Sequence, residues 1–157
     1  MSSALLAAIA GVPNAAEPVP GIVTGGQPDA RHLTALKSAG CAVVLDNRDP
    51  MEPRPFDEPA AVRAAGMEYV NLPLVHGAIT LATIAEMHAW VRGLGSRQAL
   101  LHCSSGNRTA AALIPYFMLD KKMEQDDAVD LAMRMGLRSA ELMELALQYV
   151  EAQKTRS

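Results

Sequence analysis

The sequence predicts an α/β protein: one three-layer domain in which a small, mostly parallel sheet of four or five strands carries helices on both faces. Short apolar segments rich in β-branched residues alternate with longer segments whose apolar residues recur at helical spacing. Glycines and prolines separate these segments. The 157 residues are enough for one domain with a sizeable core, so we expect a single domain over residues 1–157.

Four segments have the length and composition of buried strands: residues 22–24, 41–46, 69–72 and 98–101. The residues from Pro18 to Gly21 predict a turn-rich lead-in before the first of them. In mostly parallel sheets, ligands bind beyond the carboxyl ends of the strands. The segments 46–49 and 73–77 and the residue Cys103 all lie at such ends, so we expect them to meet in one pocket.

Helices are expected in the intervening segments. Their ranges are 4–10, from Pro28 to before Gly40, from Asp57 to before Gly66, from the N-cap Thr80 to Gly93, 109–120, 125–135 and 139–152. Pro115 should remove one backbone hydrogen bond and kink the helix that contains it. Residues 1–17 are predicted to form an N-terminal helical lead-in, and residues 153–157 a disordered tail.

The segment around Cys103 carries most of the chemical information. An apolar run ends in His102 and Cys103, and Arg108 then precedes a run of helix formers. This order predicts a strand, a tight loop and a helix, with backbone N–H groups pointing into one concavity at the positive end of the helix. A cysteine there should have a depressed pKa and be nucleophilic. Arg108 can add a fork of donors to phosphate oxygens.

The loop between the cysteine and the arginine supplies the predicted phosphate-binding residues. They are Ser104, Ser105, Gly106 and Asn107, together with Arg108. Gly106 permits the backbone conformation of a tight cradle. The Thr109 hydroxyl can hydrogen-bond the sulfur and stabilise it as a leaving group. His102 either fixes the loop by hydrogen bonds or packs as a strand-end residue.

This loop resembles that of the cysteine-dependent phosphatases, which has His-Cys, a short spacer, Arg and Ser/Thr. The spacer of tyrosine and dual-specificity phosphatases usually has five residues, whereas residues 104–107 are four. The shorter spacing is similar to that of the DUF442, or beta-lactamase hydrolase-like, phosphatase family and of the rhodanese sulfurtransferases.

The order of segments over residues 21–136 also resembles the DUF442 family. The matching segments are Gly25-Gly26-Gln27-Pro28, residues 41–50, Ala64-Ala65-Gly66, residues 67–73 and the Cys103 loop. Rhodaneses share the Asp-x-Arg pattern of residues 46–48, but the Gly-His-Ile segment that they usually carry is absent. The family resemblance is therefore favoured, and it implies a phosphotyrosine phosphatase-like fold.

The resemblance implies a phosphoric monoester hydrolase in which the Cys103 thiolate forms a phosphocysteine, as in protein tyrosine and dual-specificity phosphatases. Two alternatives stay open: a rhodanese-like sulfurtransferase with a persulfide on Cys103, and a non-catalytic anion-binding module. The expected partner is a phosphorylated protein or a small phosphomonoester, and the natural substrate and oligomeric state are left open.

The general acid is not fixed by the sequence. In the better-known phosphatases it is an aspartate on the loop after the preceding strand, but residues 74–78 contain no aspartate. His76 and Asp49 are the main candidates, and Asp46 and Asp57 are less favoured. The acidic, proline-rich segment 46–59 can also be a simple solvated loop. Arg48 either lines the pocket or pairs with these acids.

Composition excludes several classes of function. A formal net charge of −3 gives no sign of nucleic-acid or membrane-surface binding. No apolar run approaches a membrane span, and residues 4–10 lack a preceding basic residue, so a cytoplasmic protein is expected. Two cysteines do not make a disulfide framework, and the four histidines are too scattered for a zinc site. We therefore expect neither a metal nor a cofactor.

Overall fold

The structure is a computed structural model that describes residues 3–156, and it confirms the predicted α/β class. Five strands form one sheet. They are β1 (Ala16–Val19), β2 (Ile22–Gly25), β3 (Cys41–Asp46), β4 (Glu68–Asn71) and β5 (Gln98–His102). Their order in the sheet is β1-β2-β5-β3-β4, and only the β1–β2 pair is antiparallel. The strand that precedes Cys103 therefore lies in the middle of the sheet.

Two layers of helices cover the sheet. The helices are α1 (Ala4–Ala8), α2 (Ala30–Ser38), α3 (Glu58–Ala64), α4 (Leu81–Arg92), α5 (Asn107–Pro115), α6 (Gln125–Arg134) and α7 (Ala140–Lys154), and a π-helical turn (Tyr116–Asp120) follows α5. Helices α1–α3 contribute to one buried apolar cluster and α4–α7 to another. This is the predicted three-layer arrangement.

The alternation of side chains along β5 builds both clusters. Ala99 and Leu101 pack with α4–α7, whereas Leu100 packs with α1–α3. Successive side chains of a strand point to opposite faces, so a strand buried on both faces is apolar at every position. This explains why the run before His102 shows no alternation of apolar and polar residues.

One strand was not predicted. Residues 16–19, assigned to the lead-in, form the edge strand β1 despite Pro18. A proline lacks the N–H that a central strand needs, but an edge strand leaves alternate N–H groups unpaired in any case. The antiparallel partner β2 follows within three residues, so the pair is a hairpin around Gly21, whose φ is +89°.

The predicted kink at Pro115 takes a specific form. Helix α5 ends at Pro115, and the next five residues continue as a π-helical turn. Because proline has no N–H to donate, the regular i to i−4 ladder cannot continue unchanged through this position, and a shift of hydrogen-bond register is one outcome.

The ends of the chain differ in detail from the prediction. Helix α1 ends at Ala8, and residues 153 and 154, assigned to the tail, are the last residues of α7. Residues 1, 2 and 157, which belong to the predicted lead-in and tail, lie outside the described residues. Among residues 3–156 there is no helix with the length and apolar character needed to cross a membrane.

The carboxyl ends of four strands meet along one edge of the sheet. Gly25 and Asp46 both pair with His102, and Asp46 also pairs with Asn71. The loops that follow these strands therefore begin side by side, and the Cys103 loop begins between the loops that follow β2 and β3.

Candidate active site

Cys103 begins the loop that joins β5 to α5. The backbone N–H of Gly106 donates to the Cys103 Sγ at 3.1 Å. Gly106 is the N-cap of α5 and has a φ of +102°. A Cβ at this position would lie 2.7 Å from the carbonyl oxygen of Met135. Both the backbone conformation and the lack of space therefore require glycine here.

The environment of Cys103 favours the thiolate. Its side chain is fully buried, and burial alone would raise the pKa of the thiol. The backbone N–H and hydroxyl of Thr109, the N–H of Ser105 and the positive charge of Arg108 outweigh that effect and lower the pKa. A lowered pKa increases the fraction of nucleophilic thiolate near neutral pH, as the sequence predicted.

Arg108 is held by contacts on two sides. Its Nη1 donates to Glu52 Oε2 at 2.7 Å and to the Leu74 carbonyl at 2.9 Å. Its Nη2 donates to Glu52 Oε1 at 2.9 Å and to Ser104 Oγ at 3.2 Å. The guanidinium is only 2% exposed, so these contacts fix its plane next to the Cys103 loop.

Thr109 is tied to Asn47, the residue that follows β3. The Thr109 hydroxyl donates to Asn47 Oδ1 at 2.8 Å, and both residues are fully buried. Asn47 Nδ2 in turn donates to the Leu72 carbonyl at 2.9 Å, which sets the orientation of the amide. The hydroxyl predicted to serve the sulfur is therefore positioned by a buried asparagine.

Ser104 and Ser105 form the exposed part of the loop. The Ser104 carbonyl accepts the Gln27 N–H at 3.2 Å, and the Ser105 carbonyl accepts Asn14 Nδ2 at 2.8 Å. With both carbonyls held by residues outside the loop, the peptide N–H groups turn toward the side that contains the sulfur.

Asn107 differs from the other predicted phosphate-binding residues. Its Oδ1 accepts the backbone N–H of Arg138 at 2.7 Å. The side chain thus braces the connection between α6 and α7. Its backbone N–H, at the first position of α5, remains suited to an anion.

His102 fixes the loop from behind and carries a positive charge. Its Nε2 lies 2.6 Å from Glu58 Oε2, and its Nδ1 lies 3.1 Å from the Cys103 carbonyl. A carbonyl and a carboxylate can only accept, so both ring nitrogens donate and the ring is an imidazolium. Burial would lower the pKa of His102, but the hydrogen bond and charge of Glu58 raise it. Of the two roles predicted for His102, loop fixing by hydrogen bonds is therefore the one observed.

Arg48 pairs with acids behind the loop. Its Nη2 lies 2.8 Å from Asp46 Oδ2 and 3.0 Å from Glu58 Oε1. Tyr69 also donates to Asp46 Oδ2 at 2.8 Å. Asp46, Glu58 and His102 place ligand atoms within 4.8 Å of one another, a spacing that a metal ion can use. Each of the three is engaged in the ion pairs described, and we interpret the group as a buried salt-bridge network.

Two of the four candidate acids have structural roles. Asp46 is fully buried, and although burial opposes ionisation, the Arg48 hydrogen bond and the His102 charge lower its pKa to about 2. A group with that pKa holds no proton to donate near neutral pH. Asp57 is exposed and caps α3, where its Oδ1 accepts the Ala60 N–H.

The remaining candidates, Asp49 and His76, both lie near the contacts of Arg108. The Asp49 N–H donates to Glu52 Oε2 at 2.7 Å, and its Oδ1 accepts the Met51 N–H. His76 is exposed and follows two residues after Leu74, whose carbonyl accepts from Arg108. Asp49 is thus linked through Glu52, and His76 through its neighbour Leu74, to the groups that hold Arg108.

Sequence analysis missed the roles of three residues. Glu58 was assigned to the first turn of a helix as a favourable acid, but it is fully buried against His102 and Arg48. The sequence marks Asn47 and Glu52 only as loop residues. The order Asp-Asn-Arg directly after a buried strand was the available signal for Asn47, since a polar residue there lies at the binding edge. No local signal distinguishes Glu52 from the other acids of the loop.

Comparisons with known proteins confirm the resemblance to the DUF442 and beta-lactamase hydrolase-like proteins. No protein-family model matches the chain. The beta-lactamase hydrolase-like protein of Xylella fastidiosa is 26% identical over 121 residues, which are 73% of this chain. The match covers 27% of the length of that protein, so the chain spans about a quarter of this curated relative.

Solved structures share the fold. A DUF442 phosphatase-like protein of Shewanella putrefaciens CN-32 aligns with a TM-score of 0.80 and 20% identity over 94% of this chain and 97% of its own. Tk-PTP in its active form aligns with a TM-score of 0.76 and 18% identity, over 88% of this chain and 97% of its own. PTPMT1 in complex with PI(5)P aligns with a TM-score of 0.75 and 16% identity, over 90% of this chain and 97% of its own. These likenesses establish a phosphotyrosine phosphatase-like fold.

Proposed function

We propose that this protein is a cysteine-dependent phosphatase that hydrolyses phosphomonoesters through a phosphocysteine on Cys103. The proposal rests on one observation: several hydrogen-bond donors converge on the buried sulfur of Cys103. The Gly106 N–H lies 3.1 Å from Sγ, and the Thr109 and Ser105 donors and the Arg108 charge lower the pKa of the thiol although burial opposes them. The same donors suit the oxygens of a phosphoryl group bound above the sulfur.

Two displacements make up the reaction. The Cys103 thiolate attacks phosphorus, the P–S bond forms, and the P–O bond to the leaving group breaks as that oxygen takes a proton from Asp49 or His76. Water then attacks phosphorus and gives a proton to the same side chain, Asp49 or His76, that protonated the leaving group. The P–S bond breaks, and the thiolate leaves with the Gly106 N–H as a hydrogen-bond donor. The loop N–H groups and Arg108 stabilise the equatorial oxygens in both steps.

The expected substrates are phosphorylated proteins or small phosphomonoesters. The loop side chains nearest the sulfur are neutral, since Ser104, Ser105 and Asn107 carry no charge. Recognition therefore rests on the phosphoryl group itself, through the backbone and Arg108.

Hydrolysis of p-nitrophenyl phosphate in EDTA, from about pH 5 to 8, tests the proposal with wild type and Cys103→Ser. Activity that survives EDTA and disappears in Cys103→Ser is expected, together with a phosphoryl adduct on Cys103 in rapidly quenched wild type. Absence of cysteine-dependent turnover would contradict the proposal. Thiosulfate-dependent formation of a persulfide on Cys103 would instead identify a sulfurtransferase.

Asp49→Asn and His76→Asn then identify the general acid. The variant that lacks the acid should lose about 10²- to 10⁴-fold in turnover of an alkyl phosphate and much less with p-nitrophenyl phosphate. The better leaving group of the nitrophenyl ester needs little protonation, so the contrast between the two substrates separates loss of the acid from general damage to the site.

A further inference from the structure

We propose that Glu52 is a positioning residue: its carboxylate occupies the outer edge of the Arg108 guanidinium and thereby turns the inner edge toward the phosphate. This inference rests on the proposed function and names a residue on which phosphate binding depends. The two side chains form a fork, with Nη1 to Oε2 at 2.7 Å and Nη2 to Oε1 at 2.9 Å. Paired parallel hydrogen bonds of this kind fix orientation as well as distance.

The edge that Glu52 occupies is not the edge that the phosphate needs. A guanidinium has five N–H donors, two on each Nη and one on Nε. Four hydrogen bonds of Arg108 use Nη1 and Nη2, and they go to Glu52, the Leu74 carbonyl and the Ser104 hydroxyl. The guanidinium also interacts with the Cys103 sulfur, so it faces the loop as well as Glu52. An equatorial oxygen pair can take this inner edge while Glu52 keeps the outer one.

The chain holds Glu52 firmly enough for this role. Its Oε2 also accepts the Asp49 N–H at 2.7 Å, and its own N–H donates to the Asp49 carbonyl at 2.9 Å. The carboxylate therefore belongs to a closed turn and is 28% exposed, while its partner guanidinium is 2% exposed. The hydrogen bonds from Arg108 lower the pKa of Glu52 against the opposing effect of burial, so the carboxylate stays ionised.

A competing anion is the other role that Glu52 could have. In that case the carboxylate would occupy the place of the phosphate, and its removal would strengthen phosphate binding. The geometry favours positioning, because Arg108 interacts with Ser104 and the Cys103 sulfur while Glu52 holds its Nη1 and Nη2 groups. The two roles predict opposite changes in affinity.

Calorimetric titration with inorganic phosphate and steady-state kinetics with p-nitrophenyl phosphate test the inference in wild type, Glu52→Gln and Glu144→Gln. Glu144→Gln makes the same charge change on the exposed surface of α7. Glu52→Gln replaces one acceptor oxygen by an N–H₂ donor facing Arg108. We expect it to weaken phosphate binding and lower kcat/KM about 10- to 100-fold, with Glu144→Gln unchanged.

The double variant Glu52→Gln/Arg108→Lys provides a second measurement. A lysine ammonium cannot form the paired hydrogen bonds that a guanidinium forms with a carboxylate. The loss of phosphate affinity and of kcat/KM caused by Glu52→Gln should therefore largely vanish in the Arg108→Lys background. An undiminished loss in that background, unchanged constants in Glu52→Gln, or tighter phosphate binding would each overturn the inference. Wild type that binds phosphate without turning over its esters would refute the phosphatase proposal alone, and wild type that does not bind phosphate would refute both.

Discussion

The His102 imidazolium and the Glu58 carboxylate lie 2.6 Å apart and are both fully buried behind the Cys103 loop. Glu58 stands 44 positions before His102 in the chain, and the two meet because the first residue of α3 lies at the carboxyl end of the central strand. His102 spans from this carboxylate to the Cys103 carbonyl, so the pair joins α3 to the Cys103 loop.

Removal of the Glu58 charge should destabilise the protein strongly. Glu58→Gln leaves His102 and part of the Arg48 charge buried without their carboxylate, a loss that typically costs about 3–5 kcal/mol. Urea unfolding of the variant should show this decrease in the free energy of unfolding, whereas Glu144→Gln on the exposed face of α7 should stay within about 0.5 kcal/mol of wild type. Equal stability of the two variants would refute a charged His102–Glu58 pair.

His102 should stay protonated at a pH where an ordinary histidine is neutral. Glu58 raises the pKa of His102 above the ordinary 6.5 even though burial opposes it. Its contribution to stability is therefore complete below pH 6.5 and is lost as the pH rises through the raised folded-state pKa. Nitrogen NMR of the ring across this range should show the proton lost at a higher pH than in an ordinary histidine, and loss of the proton at or below pH 6.5 would contradict the assignment.

Protonation of Asp46 should lower the stability of the fold at acid pH. Arg48, Arg54 and His102 all face its carboxylate, and its pKa falls from 3.8 to about 2 in the folded protein. A lowered carboxylate pKa stabilises the fold above pH 3.8, and this contribution of about 2 kcal/mol is lost between that pH and about 2. Urea titrations should show this loss in wild type. The Asp46→Asn variant should be less stable at neutral pH and lack this part of the pH dependence.

The Thr109 hydroxyl should matter to the chemistry of Cys103. Its hydrogen bond lowers the pKa of Cys103, so Thr109→Val should raise that pKa, and iodoacetate alkylation should begin at higher pH. Loss of a hydrogen bond to a charged sulfur should slow turnover about 10- to 100-fold. Thr109→Ser keeps the hydroxyl and serves as the control. A similar alkylation profile in Thr109→Val and Thr109→Ser would show that the hydroxyl serves only Asn47.

Gly26 should be intolerant of a side chain although its backbone conformation is ordinary. A Cβ at Gly26 would lie 2.5 Å from the Ser104 carbonyl and 3.1 Å from the Ser105 Cα. Gly26→Ala must therefore displace the loop that surrounds the sulfur, and a displacement of about 1 Å can cost about 10²-fold in rate. Gly93→Ala is the matched control, since its nearest contacts would be 3.4 and 3.5 Å. Wild-type kcat/KM in Gly26→Ala would contradict the close packing of the two segments.

Much of the fold could be predicted because its signals are local. The apolar run before His102, the N-cap Thr80 and the break at Pro115 each act within a few residues, and each has the predicted consequence. β1 was missed because Pro18 argues against a strand unless one knows that the strand lies at an edge. That knowledge comes from the order of strands in the sheet, which is a tertiary property.

The sequence by itself determined the α/β class, the Cys103 loop with Arg108 and the resemblance to the DUF442 proteins, because spacing along the chain fixes a loop and a helix N-terminus. Only the tertiary structure decided that Glu52 pairs with Arg108, that Asn47 accepts a hydrogen bond from Thr109 and that Glu58 is buried against His102. These partners lie 56, 62 and 44 positions apart. Which acid of an acidic loop meets which base depends on the packing of whole elements, and no local pattern records that.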